Sequence, residues 1–250
     1  MSVRVDVYFG PAAGPPAEWQ GRVVVVIDVL RATTTMATAL AHGARAIIPF
    51  ESADDAVARF KSFDRSEVLL AGERRMARIS GFDLGNSPAE FTREVVEGKT
   101  ILMTTTNGTA ALMAVQGATE VVLGAFVNLA ATVAVLRHAI RNSLGIAIVC
   151  AGSERQFAME DAVCAGRLLR AVSRRLATAQ WNDAARAVVA LDRRYGRDIE
   201  GCLRDTVHGR ALAEAGFSGD VALAAALDTH AIVPVYAERQ VTPLGRPRRR

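Results

Sequence analysis

Val23-Val24-Val25-Val26-Ile27-Asp28-Val29-Leu30-Arg31-Ala32-Thr33-Thr34-Thr35 is the stretch on which the fold turns. Five consecutive branched apolar residues make a strand that is buried on both faces, as strands in parallel sheets covered by helices are. The strand runs straight into an acid, an arginine and a threonine-rich helix start. Outward from it, strand-length apolar runs recur at 3–9, 44–50, 67–73, 99–105, 119–125, 145–152 and 230–236, separated by helical stretches. The pattern predicts an α/β fold of three layers, α/β/α, around a mainly parallel sheet, with room for two lobes. Caps and punctuation predict helices over 33–42, ending before Gly43, over 53–63, capped by Ser52, and from Pro88 through Val96 before Gly98. From Glu160 to Leu227 the chain reads as helix-rich, punctuated by Gly201, Gly209, Gly216 and Gly219, with one last strand expected near Ile232.

Composition narrows the class. A chain of 250 residues buries roughly three quarters of its unfolded surface, enough for one catalytic unit over 1–250 without staples. Half the residues are apolar and 22% are charged, which excludes intrinsic disorder. The run at 23–27 is far shorter than the ~20 residues of a membrane helix. The N-terminal segment alternates apolar and polar residues and lacks the core of a secretory signal, so a cytoplasmic protein is expected. Cys150, Cys164 and Cys202 form no Cys-x-x-Cys pair, and reduced thiols follow. The net charge of +4 arises from 30 basic and 26 acidic residues. Arg246, Arg248, Arg249 and Arg250 lie at the extreme end, so the body is near neutral and 243–250 reads as a disordered basic tail. No nucleic-acid or membrane partner is indicated. A homo-oligomer is left open.

In an open α/β sheet, ligands bind beyond the carboxyl ends of the strands. Four such ends carry polar residues. At the first, Asp28 can hold a divalent cation or attack phosphorus and Arg31 can take two anion oxygens; Asp28 and Thr33 can equally cap the helix. At the second, Ala71-Gly72-Glu73-Arg74-Arg75 precedes Gly81-Phe82-Asp83-Leu84-Gly85-Asn86-Ser87-Pro88. There Glu73 and Asp83 are candidate cation ligands and Arg74 a candidate anion clamp, with a surface loop capped by Asn86 or Ser87 as the plainer reading. At the third, Thr104-Thr105-Thr106-Asn107-Gly108-Thr109 opens a helix and forms the best phosphate nest in the chain. It has neither the lysine nor the spacing of a P-loop. At the fourth, Cys150-Ala151-Gly152-Ser153 leads to Glu160 and Asp161 on a helix start, where acids also suit the helix dipole. Cys150 has no basic sequence neighbour, so it reads as a small pocket-lining residue rather than a nucleophile.

Together these strand ends describe a site for an anion and a divalent metal, with Mg²⁺ best matched to all-oxygen ligands. His42, His138, His208 and His230 show no metal-ligand spacing and there is no Gly-x-Ser-x-Gly, so zinc hydrolases and serine esterases fall away. A haloacid-dehalogenase type would need a second aspartate where Leu30 stands.

The blocks IDVLRATTT, AGERR with GFDLGNSP, TTTNGT, and CAG with FAMEDAVCAG occur in an order that resembles the 2-phosphosulfolactate phosphatase family. The C-terminal GRALAEAGFSGDVALAAALDTHAIVPVY is similar too. The resemblance implies a Mg²⁺-dependent α/β phosphatase that hydrolyses 2-phosphosulfolactate to 3-sulfolactate and phosphate, a step towards coenzyme M. The matching residues are Asp28, Arg31, Glu73, Arg74, Asp83, Asn86, Thr106 to Gly108, Cys150, Glu160 and Asp161. On that basis Asp28, Arg31 and Asp161 are expected to be catalytic. Asp28, Glu73, Asp83, Glu160 and Asp161 are the expected metal ligands. Arg74, Asn86, Thr105, Thr106, Asn107, Gly108, Thr109 and Cys150 are expected to bind a small anionic phosphorylated substrate. A broader 2-phospho-hydroxy-acid phosphatase and a catalytically silent anion-binding protein are the rival readings.

Overall fold

A computed structural model describes residues 3–10, 16–115, 117–153 and 156–245. Its strands are β1 (Arg4–Phe9), β2 (Arg22–Ile27), β3 (Ala46–Pro49), β4 (Val68–Arg74), β5 (Ala77–Arg78), β6 (Thr100–Thr104), β7 (Glu120–Gly124), β8 (Gly145–Cys150), β9 (Gln180–Trp181), β10 (Pro234–Ala237) and β11 (Gln240–Pro243). They form one sheet in the order β5-β4-β6-β3-β11-β10-β7-β2-β8-β1-β9.

Strand β2 is the axis. Every residue from Arg22 to Ile27 is buried, and β2 pairs in parallel with β7 on one side and β8 on the other. Alternate residues go to opposite layers, as the period of two requires. Val23, Val25 and Ile27 pack with Leu136 of the helix Leu129–Arg141 and Leu168 of the helix Met159–Val172. Val24 and Val26 pack with Met36 of the helix Ala32–Ala41 and Leu112 of the helix Gly108–Ala114. Helices therefore cover both faces, in the expected three layers.

Parallel pairing holds in two blocks, β4-β6-β3 and β7-β2-β8-β1-β9. The antiparallel hairpin β10-β11 joins them through Val235–Val122 and Val241–Ile47. The strand expected near Ile232 is β10, which begins at Pro234, and β11, which follows it, had no counterpart in the apolar pattern. Four residues with Gln240 and Thr242 among them are too short and too polar to stand out.

Two helix expectations change. The stretch opened by Pro88 is a 3-10 turn, Pro88–Glu90, followed by a single helical turn, Arg93–Val96. The chain leaves the helical region at Phe91 and Thr92 so that Phe91 can bury completely. Gly201 and Gly209 lie inside the helices Ile199–Asp205 and Val207–Glu214, where their N–H groups donate to Asp198 Oδ1 and Thr206 Oγ1 in the first turn. Ser52 caps Ala53–Phe60 as expected, accepting from the Asp55 N–H at 3.1 Å. Among the described residues no helix is long and apolar enough to cross a membrane. Pro243 closes β11 and the Leu244 N–H donates to the Val233 carbonyl at 2.9 Å; residues 246–250 of the expected tail lie outside the described residues.

Candidate active site

The loops after β2, β4, β6 and β8 come together in pairs, the β6 loop touching those after β2 and β4, and the β2 loop that after β8. Asp28, one residue past β2, is buried, and its Oδ1 accepts from the Ala32 N–H at 3.2 Å. The capping role foreseen for Asp28 is therefore present, but it engages one oxygen only. The other, Oδ2, faces Gly108, where an added Cβ would stand 2.9 Å from it and 2.6 Å from the Ala32 Cβ. Only glycine lets the start of the helix Gly108–Ala114 approach the acid this closely. Thr33 Oγ1 accepts from the Asp28 N–H at 3.0 Å and also meets the Gly124 carbonyl at 2.9 Å, pinning the turn to β7.

The nest is braced from β4. Glu73 Oε1 accepts from the Thr106 N–H (3.0 Å) and Oγ1 (2.7 Å), while its Oε2 accepts from the Met76 N–H (2.9 Å). Thr105 and Thr109 exchange hydroxyl-to-backbone bonds, the Thr105 N–H donating to Thr109 Oγ1 and the Thr109 N–H to Thr105 Oγ1. Asn107 is half-buried at the helix start and makes no side-chain cap.

Asp161 does the same service between β2 and β8. Its Oδ1 accepts from the Val29 N–H at 2.8 Å and its Oδ2 from the Gly152 N–H at 3.1 Å. Burial raises its carboxyl well above the ordinary range, and the charges of Asp28 and Glu160 add to the rise. Glu160, also buried, has its Oε1 3.5 Å from His208 Nδ1. Asp28 itself is pushed up to about 6, first by burial; the charge of His208 and the Ala32 N–H oppose the shift, and Glu160 and Glu73 add to it. At His208 burial works against the charged ring, but the hydrogen bond and charge of Glu160 and the charge of Asp28 outweigh it and the net shift is upward.

Arg31 is held away from free solvent. Its Nη1 donates to Asp220 Oδ2 at 2.7 Å, its Nη2 to the Met76 carbonyl at 3.1 Å, and its guanidinium lies 4.6 Å from the centre of the Phe217 ring. Asp220 Oδ1 accepts from Ser87 Oγ at 2.6 Å, so one buried carboxylate ties the β2 loop to the loop before Pro88.

Several expected residues lie elsewhere. Asp83 is exposed, and its Oδ2 accepts from the Leu70 N–H at 2.9 Å, bracing β4 instead of joining the other acids. Arg74 is exposed on the β4-β5 hairpin. Cys150 is fully buried in the core, where burial, reinforced by the charge of Asp161, raises its thiol well above its ordinary value; it does not line an open pocket. Asn86 is buried beside Ser87 with Oδ1 unpaired among the described residues, an acceptor suited to a donor rather than to a phosphate oxygen. Residues 154 and 155, between Ser153 and the helix that carries Glu160, lie outside the described residues.

Sequence reasoning missed His208 and Asp220. Neither sits in a motif with the strand-end acids, and only the packing of Val207–Glu214 and Ser218–Ala225 against them reveals the pairs. A cavity of about 440 Å³ opens beside Glu160 and His208.

Among the described residues no three His, Cys, Asp or Glu side chains form a ready-made metal cage. Glu73 and Asp161 spend both oxygens on N–H groups, and Asp83 is apart. Asp28 and Glu160 are left as carboxylate donors. Two carboxylates with the remainder supplied by water and phosphate is how Mg²⁺ is commonly held, so these residues fit that ion and not a thiolate or histidine metal.

A buried acid at a strand end, with a raised histidine from the helix Val207–Glu214 and a glycine-dependent nest beside it, defines a hydrolytic α/β enzyme acting on an anionic substrate. The model of the 2-phosphosulpholactate phosphatase family matches residues 9–239. A Symbiobacterium thermophilum protein named "Probable 2-phosphosulfolactate phosphatase" is 41% identical over 231 residues, covering 92% of this chain and 98% of its own. Proteins of the same name from Deinococcus radiodurans (42% over 247 residues, 98% and 97% covered) and Caldanaerobacter subterraneus (40% over 211 residues, 84% and 86% covered) are also similar. The chain belongs to the 2-phosphosulfolactate phosphatase family and is a phosphoric monoester hydrolase.

Proposed function

We propose that the enzyme hydrolyses 2-phosphosulfolactate to 3-sulfolactate and phosphate with Mg²⁺, and that Asp28 is its central acid. The observation that carries this reading is Asp28 Oδ2 facing the Gly108 backbone of the nest, with His208 and Glu160 within electrostatic reach. Asp28 and Glu160 would hold Mg²⁺, which when bound draws charge from the phosphoryl oxygens. The turn at 105–109 receives the remaining phosphate oxygens, held in shape by Glu73. His208, its Nδ1 turned to Glu160, keeps Nε2 to protonate the departing alkoxide as the P–O bond breaks. Asp161 and Asp220 position the loops that carry Asp28 and Arg31. The class of metabolism implied by the substrate is the route to coenzyme M.

Phosphate release from 2-phosphosulfolactate is expected to be at least tenfold faster with Mg²⁺ than with EDTA. Equal rates would remove the metal from this reading, and no release from a folded protein would remove the substrate. Gly108→Ala is expected to cut turnover at least tenfold and lower stability by about 1–3 kcal/mol, because its methyl group must displace Ala32 or the Asp28 carboxylate. Turnover and thermal unfolding of that variant check the closeness of the nest to Asp28; unchanged turnover would separate the two.

A further inference from the structure

The helices Leu129–Arg141 and Met159–Val172 pack on the same face of the sheet, with Leu136 of one and Leu168 and Leu169 of the other in one buried cluster. A cleft of about 640 Å³ opens towards their C-terminal ends, lined by Arg137 from the first and by Arg170 from the second, and by Ser173, Arg174 and Arg175 of the 3-10 turn Ser173–Leu176 that continues it. Arg170 stands ten residues along its helix from Glu160, roughly 15 Å at the rise of an α-helix, so the cleft is separate from the candidate active site.

The charge here is segregated. No Asp or Glu occurs between Glu120 and Glu154 or between Asp161 and Asp183, yet these two stretches hold six arginines, in a chain whose 30 basic and 26 acidic residues nearly balance. Asp192, from the helix Asp183–Tyr195, is shared by two of them, its Oδ1 2.7 Å from Arg167 Nε and its Oδ2 2.7 Å from Arg170 Nε. Among the described residues Arg137, Arg174 and Arg175 form no ion pair, and all three are exposed. A helix C-terminus favours a nearby cation, but it does not account for several guanidiniums gathered around one cleft against their mutual repulsion.

We infer that this cleft is a second anion site, which binds a chain of two or three linked phosphate groups. Guanidinium forks match phosphate oxygens two at a time, and a multiply charged chain offsets the repulsion between the arginines. No aromatic ring is among the lining residues, so a base has nothing to stack on and recognition falls on the phosphate chain, inorganic or carried by a nucleotide. The inference is independent of the phosphatase reading, because binding is measured without turnover.

The test is calorimetric titration in EDTA with tripolyphosphate, a nucleoside triphosphate, orthophosphate and a short RNA. The native protein is compared with Arg137→Gln/Arg174→Gln, with Arg175→Gln, and with the charge-matched control Arg59→Gln/Arg93→Gln, whose arginines are exposed on other helices. The native protein is expected to bind tripolyphosphate roughly tenfold or more tighter than orthophosphate, with a similar loss in the double cleft variant, a several-fold loss in Arg175→Gln and none in the control. Tighter binding of the nucleoside triphosphate than of tripolyphosphate would assign the chain to a nucleotide, and the reverse to an inorganic ligand; both keep the site. Equal affinity in native and cleft variants, an equal loss in the control, or orthophosphate binding as tightly as tripolyphosphate overturns the inference. So does binding of the RNA alone, which would make the cleft part of a nucleic-acid face. Turnover of 2-phosphosulfolactate is expected to be unchanged in all variants, and its loss in the cleft variants alone would refute a separate site.

Discussion

Asp28→Asn is expected to abolish phosphate release, by about 10³-fold or more, while making the protein harder to unfold above pH 6. The first effect follows because an amide neither attacks phosphorus nor holds a cation. The second follows from linkage. The Asp28 carboxyl titrates near 6 in the folded protein, against 3.8 for the free group. The native state therefore binds this proton more tightly than the unfolded state, so ionising Asp28 costs stability as pH rises from about 4 to above 6. A shift of that size corresponds to up to about 3 kcal/mol, and asparagine removes the cost while keeping an acceptor for the Ala32 N–H. The gain should appear in thermal unfolding at pH 8 and vanish near pH 3.5, where both states carry the proton. A destabilised variant at pH 8 would show that burial does not strain the carboxylate. In the working enzyme Asp28 must be ionised and His208 protonated, so kcat/KM is expected to fall on both the acid and the alkaline side.

Asp220→Ala is expected to destabilise by about 3–5 kcal/mol, because it leaves the Arg31 guanidinium buried without its counter-charge. It also strands the Ser87 hydroxyl. Asp220→Asn retains an acceptor for Arg31 and should lose less. Denaturant unfolding of the two variants ranks them, and a loss below ~1 kcal/mol for alanine would show that Arg31 finds another partner or water. Activity should fall with the alanine variant even where it remains folded, since Arg31 anchors the loop that carries Asp28.

The layered sheet was legible because its evidence is local. Each strand from β1 to β8 except the two-residue β5 announces itself as a strand-length run rich in apolar residues, alternating in β1 and continuous in β2, and alternate residues of β2 do reach opposite layers. The nest and the strand-end acids were legible for the same reason: small hydroxyl residues and carboxylates follow directly upon apolar runs. Roles were harder to read. Glu73, Asp83 and Asp161 looked alike as ligands, yet each accepts backbone N–H groups, Glu73 and Asp161 from loops and Asp83 from Leu70 in β4. A loop carboxylate does either job, and the position of a distant N–H decides which.

By itself the sequence determined the α/β class, the strand ends that carry the chemistry and the family, all of which depend on neighbours along the chain. Only the tertiary structure decided that Arg31 is spent on Asp220, that His208 stands against Glu160, and that a cavity opens beside them. The physical reason is that these pairs join strand ends to helices far along the chain, and a buried charge takes its partner from whatever the packing brings within hydrogen-bond distance, which no spacing in the sequence encodes.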